Sequence, residues 1–129
     1  MNTKILMTSN SLILALTGVF TLFAPDILLS MLSVSVTAQS SVLVQLLGAL
    51  YFSFALMNWT AKDSAIGGIY ARPVSLANFS HFFIGTLLLA KYLASNEFNF
   101  PMVLVTILYG IFAVIFYWLV FRATGLRAQ

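Results

Sequence analysis

Long apolar runs alternate with short polar segments along this chain, and the runs are about as long as a bilayer is thick. The first covers residues 5–24, and about 20 residues rising about 1.5 Å each span the hydrocarbon core of a membrane. Residues 41–59 form a second run with no formal charge, residues 75–93 a third and residues 101–121 a fourth. Between the first two lies a Leu-rich segment, residues 26–33, too short to cross. Its Ser30 and Ser33 recur at helical spacing, which predicts a short amphipathic helix lying in the membrane interface. A kinked continuation of the first helix is the alternative. Pro25 suits either, because proline ends one helix and is tolerated in the first turn of the next.

The polar segments supply the breaks. Val34–Ser40 reads as a connecting loop, Thr60–Val74 as a longer one and Ser95–Phe100 as a short turn. Ser75 or Asn78 is expected to cap the third span, and Pro101 to open the fourth. Lys4 followed by an apolar stretch also resembles a signal peptide. The polar patch Thr8–Ser11 interrupts its apolar core and Pro25 directly follows the candidate cleavage residue Ala24, so the segment is read as a retained first span. The predicted fold is all-α, a single integral membrane four-helix bundle with a short interfacial helix after the first span.

Composition agrees. The 129 residues are 61% hydrophobic and 7% charged, whereas soluble domains carry about 25% charged residues. Five of the six basic residues, Lys4, Lys62, Arg72, Arg122 and Arg127, fall on the side that four spans assign to both termini. This positive-inside bias predicts cytoplasmic termini, in a bacterial cytoplasmic membrane. The basic residues are scattered at segment ends rather than clustered, which argues against a nucleic-acid partner. The absence of cysteine excludes disulfides, thiol redox chemistry and thiolate metal sites.

On the second span Gln45, Gly48, Phe52, Ala55 and Trp59 share one stripe, and Ala49 with Ser53 forms a small-xxx-small pair suited to close helix approach. Ala90 and Ala94 give the third span a similar face. The candidate chemistry gathers around the loop between the second and third spans. His81 is the only histidine, about two turns into the third helix, with Asn78 one turn earlier on the same face. Ionisable groups at membrane depth are functional candidates by default. Asn58, Arg72, Asn78 and His81 are therefore read as lining a polar pocket open to the cytoplasm. The competing reading is that Asn78 and His81 only fix helix packing through hydrogen bonds. Arg72 with Tyr70 and Pro73 suits an anionic lipid head group, or a plain positive-inside anchor. Gly67-Gly68 alone is no phosphate-binding loop. A haem or metal site at His81 lacks a second ligand, and no catalytic constellation is legible, so neither a cofactor nor an enzymatic activity is expected. The expected role is association with itself or another membrane protein. The alternative is a small transporter, channel or lipid- or small-molecule-binding protein using the polar pocket. Expected partners are membrane lipids and a second copy or another membrane protein.

From Thr21 to Lys62 the chain carries a first helix ending in Phe-Ala-Pro-Asp, a short Leu-rich helix and a second span with Leu-Leu-Gly-Ala-Leu-Tyr. This stretch, about a third of the chain, resembles the small four-span bacterial membrane proteins of the DoxX-like neighbourhood. The resemblance implies a four-helix membrane bundle and brings no chemistry with it. Small multidrug exporters need an acidic residue inside the first helix, and here Asp26 lies beyond Pro25. Phe79-Ser80-His81-Phe82 only faintly echoes the Phe-Ser motif of small fluoride channels, whose first segment is not matched.

Overall fold

A computed structural model describes residues 3–63, 71–96 and 98–122. Its described residues form five α-helices and no strand: α1 Thr3–Phe23, α2 Pro25–Met31, α3 Ala38–Ala61, α4 Ala71–Ser95 and α5 Phe100–Arg122. Four of these, all but α2, are long and apolar enough to cross a membrane. The chain divides into two compact units, Met1–Asp63 and Ser64–Gln129, each built around one pair of long helices. Gly67, Gly68, Tyr70, Glu97 and Arg127 lie outside the described residues.

Local chemistry moves several helix ends away from where the sequence pattern put them. α3 opens at Ala38 rather than Ser41, because Thr37 and Ser40 form a reciprocal capping box: Ser40 N–H donates to Thr37 Oγ1 at 3.1 Å and Thr37 N–H to Ser40 Oγ at 2.9 Å. α4 is already helical at Ala71, so neither Ser75 nor Asn78 caps it. Pro73 stands in the first described turn of α4. Pro101 likewise stands in the first turn of α5, and Asn99 Oδ1 accepts from Met102 N–H at 3.2 Å as the cap.

In the first unit α1 and α3 run antiparallel, and their contacts step in opposite directions along the two helices. Lys4 pairs with Asp63 at 2.7 Å, the Ser11 hydroxyl donates to Ala55 O at 2.7 Å, and Gln45 donates to Leu22 O at 3.2 Å. The closest approach is between two glycines. A Cβ at position 18 would stand 2.8 Å from Phe52 N and 2.9 Å from Gly48 O; one at position 48 would run into Thr21 Oγ1 and stand 2.9 Å from Leu22 N. The buried positions of α1 are Met7, Asn10, Ser11, Leu14, Gly18 and Thr21, a seam of alternating three- and four-residue steps. Beyond the glycine contact the helical bonding carries across the break at Ala24, whose ψ of 49° is not helical: Ala24 N–H bonds Phe20 O and Leu28 N–H bonds Ala24 O. α2 then keeps step with α3, since the Ser41 hydroxyl donates to Asp26 Oδ1 at 2.6 Å. The helix ends at Met31, and Ser33 takes the left-handed conformation at φ 58°.

The second unit pairs α4 with α5 through aromatic rings. Phe82 stacks on Phe112 at 4.9 Å and on Phe116 at 6.0 Å, and its ring meets Tyr109 edge-on at 5.2 Å. Gly85 leaves the space that the Tyr109 ring fills, for a Cβ there would stand 2.5 Å from Tyr109 Cε1. In both units large apolar side chains such as Leu16, Phe23, Leu43, Leu88 and Val114 point outward; glycine, alanine and short polar residues occupy much of the buried set in the first unit, and aromatic rings with Leu119 and Val120 most of it in the second.

Two outcomes follow from this packing. Gly48→Ala is expected to destabilise the protein by about 1–3 kcal/mol through overpacking, whereas Gly110→Ala, whose Cβ would meet only Thr86 Cγ2 at an ordinary 3.8 Å, should be neutral or slightly stabilising. Reversible unfolding in detergent compares the two. Asp63 is held below the usual carboxylate range, chiefly by its hydrogen bond to Lys4; desolvation opposes this, and the Lys4 and Lys62 charges add to the lowering. The paired form is the carboxylate, so the contact is complete above the ordinary range and is lost as pH falls through the lowered value. An NMR titration of the Asp63 carboxyl should move upward in Lys4→Gln.

Candidate functional site

Buried polar side chains in a spanning helix need a partner, because hydrocarbon offers none. The two asparagines of the expected pocket meet that need in the same way. Asn58 lies on the inner face of α3 and is 0% exposed; its amide donates to Phe54 O, four residues back, at 2.9 Å. Asn78, also 0% exposed, donates to Val74 O at 2.8 Å. Each amide thus donates to a carbonyl of its own helix, one turn back.

The expected residues divide between the two units. Asn58 belongs to the first; Arg72, Asn78 and His81 belong to α4 in the second. Arg72 is exposed in the first turn of α4. His81 is half-buried one turn beyond Asn78, and there the second unit assembles a polar pair. His81 Nε2 and the Tyr109 hydroxyl share a hydrogen bond of 3.3 Å, with the ring centroids 5.4 Å apart. The tautomer of the imidazole decides which partner donates. The pair depends on Gly85, one turn further along α4, because only a residue without a side chain lets the phenol ring lie against that helix and reach back to His81. Phe82 closes the side of the pair, its ring 5.1 Å from the imidazole and 5.2 Å from the phenol.

Among the described residues no group of three His, Cys, Asp or Glu side chains is placed to hold a metal ion. What the His81–Tyr109 arrangement offers is a hydrogen-bonded imidazole and phenol at membrane depth. Such a pair fixes α4 against α5, and either group is able to accept or pass on a proton.

The first unit has polar members that the sequence pattern did not mark as candidates. Asn10 is 0% exposed and Ser11 4%, on the inner seam of α1. In the sequence they read only as an interruption of an apolar run. The seam steps from Met7 through Ser11 and Leu14 to Gly18 and Thr21 carry the signal, for they place the Asn10–Ser11 pair on the face of the glycine. The Gln45, Gly48, Phe52, Ala55, Trp59 stripe is split by the structure: Gly48 and Ala55 are buried, whereas Gln45, Phe52 and Trp59 are exposed and Asn58 takes the inner position instead. Packing follows the small residues, and the large ones turn outward. Trp59 lies under the Lys62 ammonium, 3.4 Å from the ring centroid, a cation–π contact of the kind found where a helix leaves the membrane.

Comparison with protein-family models, with curated proteins and with solved structures yields no match for this chain.

A double-mutant cycle with His81→Phe and Tyr109→Phe measures the imidazole–phenol pair. Hydrogen bonds between spanning helices couple by about 0.6 kcal/mol on average, with measured values up to about 1.7. A coupling in that range is expected, with a change in the His81 ring nitrogen shifts in Tyr109→Phe. The same change in Gly85→Ala would show that the glycine holds the phenol in place.

Proposed function

We propose that this small polytopic membrane protein works by associating with itself or with another membrane protein in the plane of the bilayer, and that it is not an enzyme. The observation that carries this reading is on α3. Gly48 is filled by the backbone of α1, but its neighbour Ala49 and, one turn on, Ser53 are exposed. The Ser53 hydroxyl donates to Ala49 O at 2.9 Å, so the face they form is small and internally satisfied. A second helix is able to approach such a face closely without leaving a polar group stranded. Ala90 and Ala94 on α4 are exposed as well.

The proposed setting is a bacterial cytoplasmic membrane with both termini in the cytoplasm. It rests on the distribution of basic residues, and the first unit agrees with it in placing Lys4, Lys62 and Asp63 at one end. The DoxX-like resemblance of Thr21–Lys62, to small bacterial four-span proteins, supports the bacterial membrane and says nothing of the orientation.

A second reading is a small transporter, channel or binding protein for a lipid or small molecule, using the polar residues Arg72, Asn78 and His81 that α4 carries within the second unit. Its support is the half-buried His81 imidazole, one turn beyond Asn78 and hydrogen-bonded to the Tyr109 hydroxyl.

A photo-crosslinking residue at Ser53, activated in intact membranes, tests the first reading. A discrete protein crosslink that Ala49→Leu abolishes is expected. Lipid adducts alone would overturn association through this face. Native mass spectrometry from a mild detergent tests the second: a bound mass present in the wild type and lost in both Arg72→Ala and His81→Phe would favour that reading.

A further inference from the structure

The exposed apolar stripe of α1 does not stop at the kink. It runs through Ile5, Leu12, Leu16, Val19 and Phe20 to Phe23, and continues at four-residue steps to Ile27 and Met31 on α2. Phe23 is 83% exposed, Ile27 57% and Met31 56%. As one straight helix, Ile5 to Met31 would extend about 40 Å. That is about 10 Å more than the hydrocarbon core. The surplus must be tilted, bent or pushed into water.

The neighbouring helix marks the depth at which the surplus begins. Asp26 accepts from Ser41, and the first turn of α3 there is Ala38-Gln39-Ser40-Ser41, in which Ser40 completes the capping box with Thr37. α3 has therefore already turned polar where α2 starts. At that level α2 presents three different edges. Leu29 is 4% exposed and faces inward, Asp26 and Ser30 form a polar edge, and Ile27 with Met31 forms an exposed apolar edge. Val34 and Val36 in the following segment are exposed too, at 44% and 48%. A two-turn helix with a polar edge beside an apolar one is suited to the boundary between head groups and acyl chains. The hydrogen bond from Ser41 to Asp26 and the burial of Leu29 tie it to the first unit.

We propose that Phe23, Ile27 and Met31, continued by Val34 and Val36, form a ledge embedded in phospholipid at the boundary of the leaflet opposite the termini. The break at Ala24-Pro25 re-aims the last turns of an over-long apolar stripe along the membrane surface. The partner of this surface is the bilayer itself, by continuity with the apolar faces of the spanning helices. The proposal rests on reading α1 and α3 as membrane spans.

The chain has no cysteine, so single-cysteine nitroxide labels at Leu16, Ile27, Ser30 and Met31 report each position cleanly in phosphatidylcholine bilayers. Collisions with oxygen, which concentrates in the acyl region, are compared with collisions with a water-soluble nickel chelate. Ile27 and Met31 are expected to favour oxygen several-fold more than Ser30 does, at a shallower depth than Leu16. Nickel access at Ile27 and Met31 equal to that at Ser30, with Leu16 still in lipid, would overturn the ledge and leave the spans intact. Access to neither reagent at Ile27 and Met31 would overturn it in favour of a protein cover. Nickel access at Leu16 would overturn the spanning reading itself.

Discussion

The backbone contact between Gly18 and Gly48 is the constraint on which the first unit depends. In hydrocarbon there is no water to expel from between two apolar helices, so helices associate through close packing and hydrogen bonds. Two glycines facing each other bring the helices near enough for side chains on either side to reach across. Above and below that contact Ser11 reaches Ala55 and Gln45 reaches Leu22. The same closeness keeps α2 in step with α3, where Asp26 accepts from Ser41. A larger residue at position 18 or 48 would move all of these together, since none has much length to spare.

The second unit solves the same problem differently. There one glycine, Gly85, makes room for a ring rather than for a backbone, and the helices are joined by the Tyr109, Phe82, Phe112 and Phe116 rings. Aromatic stacking brings dispersion and edge-to-face attraction that do not require expelled water. The phenol carries its hydroxyl to His81, so the polar pair follows from the ring packing. Packing and chemistry are therefore carried by the same residues. Asn58 and Asn78 show the same overlap: each is buried completely and each relieves its cost by bonding a carbonyl of its own helix. For such residues a structural role and a binding role are separated by what their remaining polar atoms meet, not by burial.

Much of the architecture was legible in residue order. Four apolar runs separated by Pro, Ser, Thr and Asn dictate four long helices, because a spanning backbone must satisfy its own hydrogen bonds. The short segment after Pro25 announced itself by being too brief to cross. The inner faces were less legible. Along α3 the stripe through Gln45, Phe52 and Trp59 is as periodic as the true inner one, and hydrophobicity does not choose between them. In water the largest apolar residues would mark the core. In lipid they are equally at home outside, so the small and polar residues Gly48, Ala55 and Asn58 mark it instead.

The sequence by itself determined the helical class, the number of spanning-length helices, the approximate ends of each, and the place of the polar residues along them. Those features are local: they depend on run length, on proline and on capping residues, and each is set within a few turns of chain. Only the tertiary structure decided that Asn10 and Ser11 face inward with Gly18, that Tyr109 is the partner of His81, and that Ile27 and Met31 remain exposed while Leu29 is buried. These depend on which face of one helix meets another. That choice is made by close approach at glycine and by ring packing between residues 24 to 34 apart in the chain, and hydrophobic periodicity, which lipid leaves almost without consequence, does not encode it.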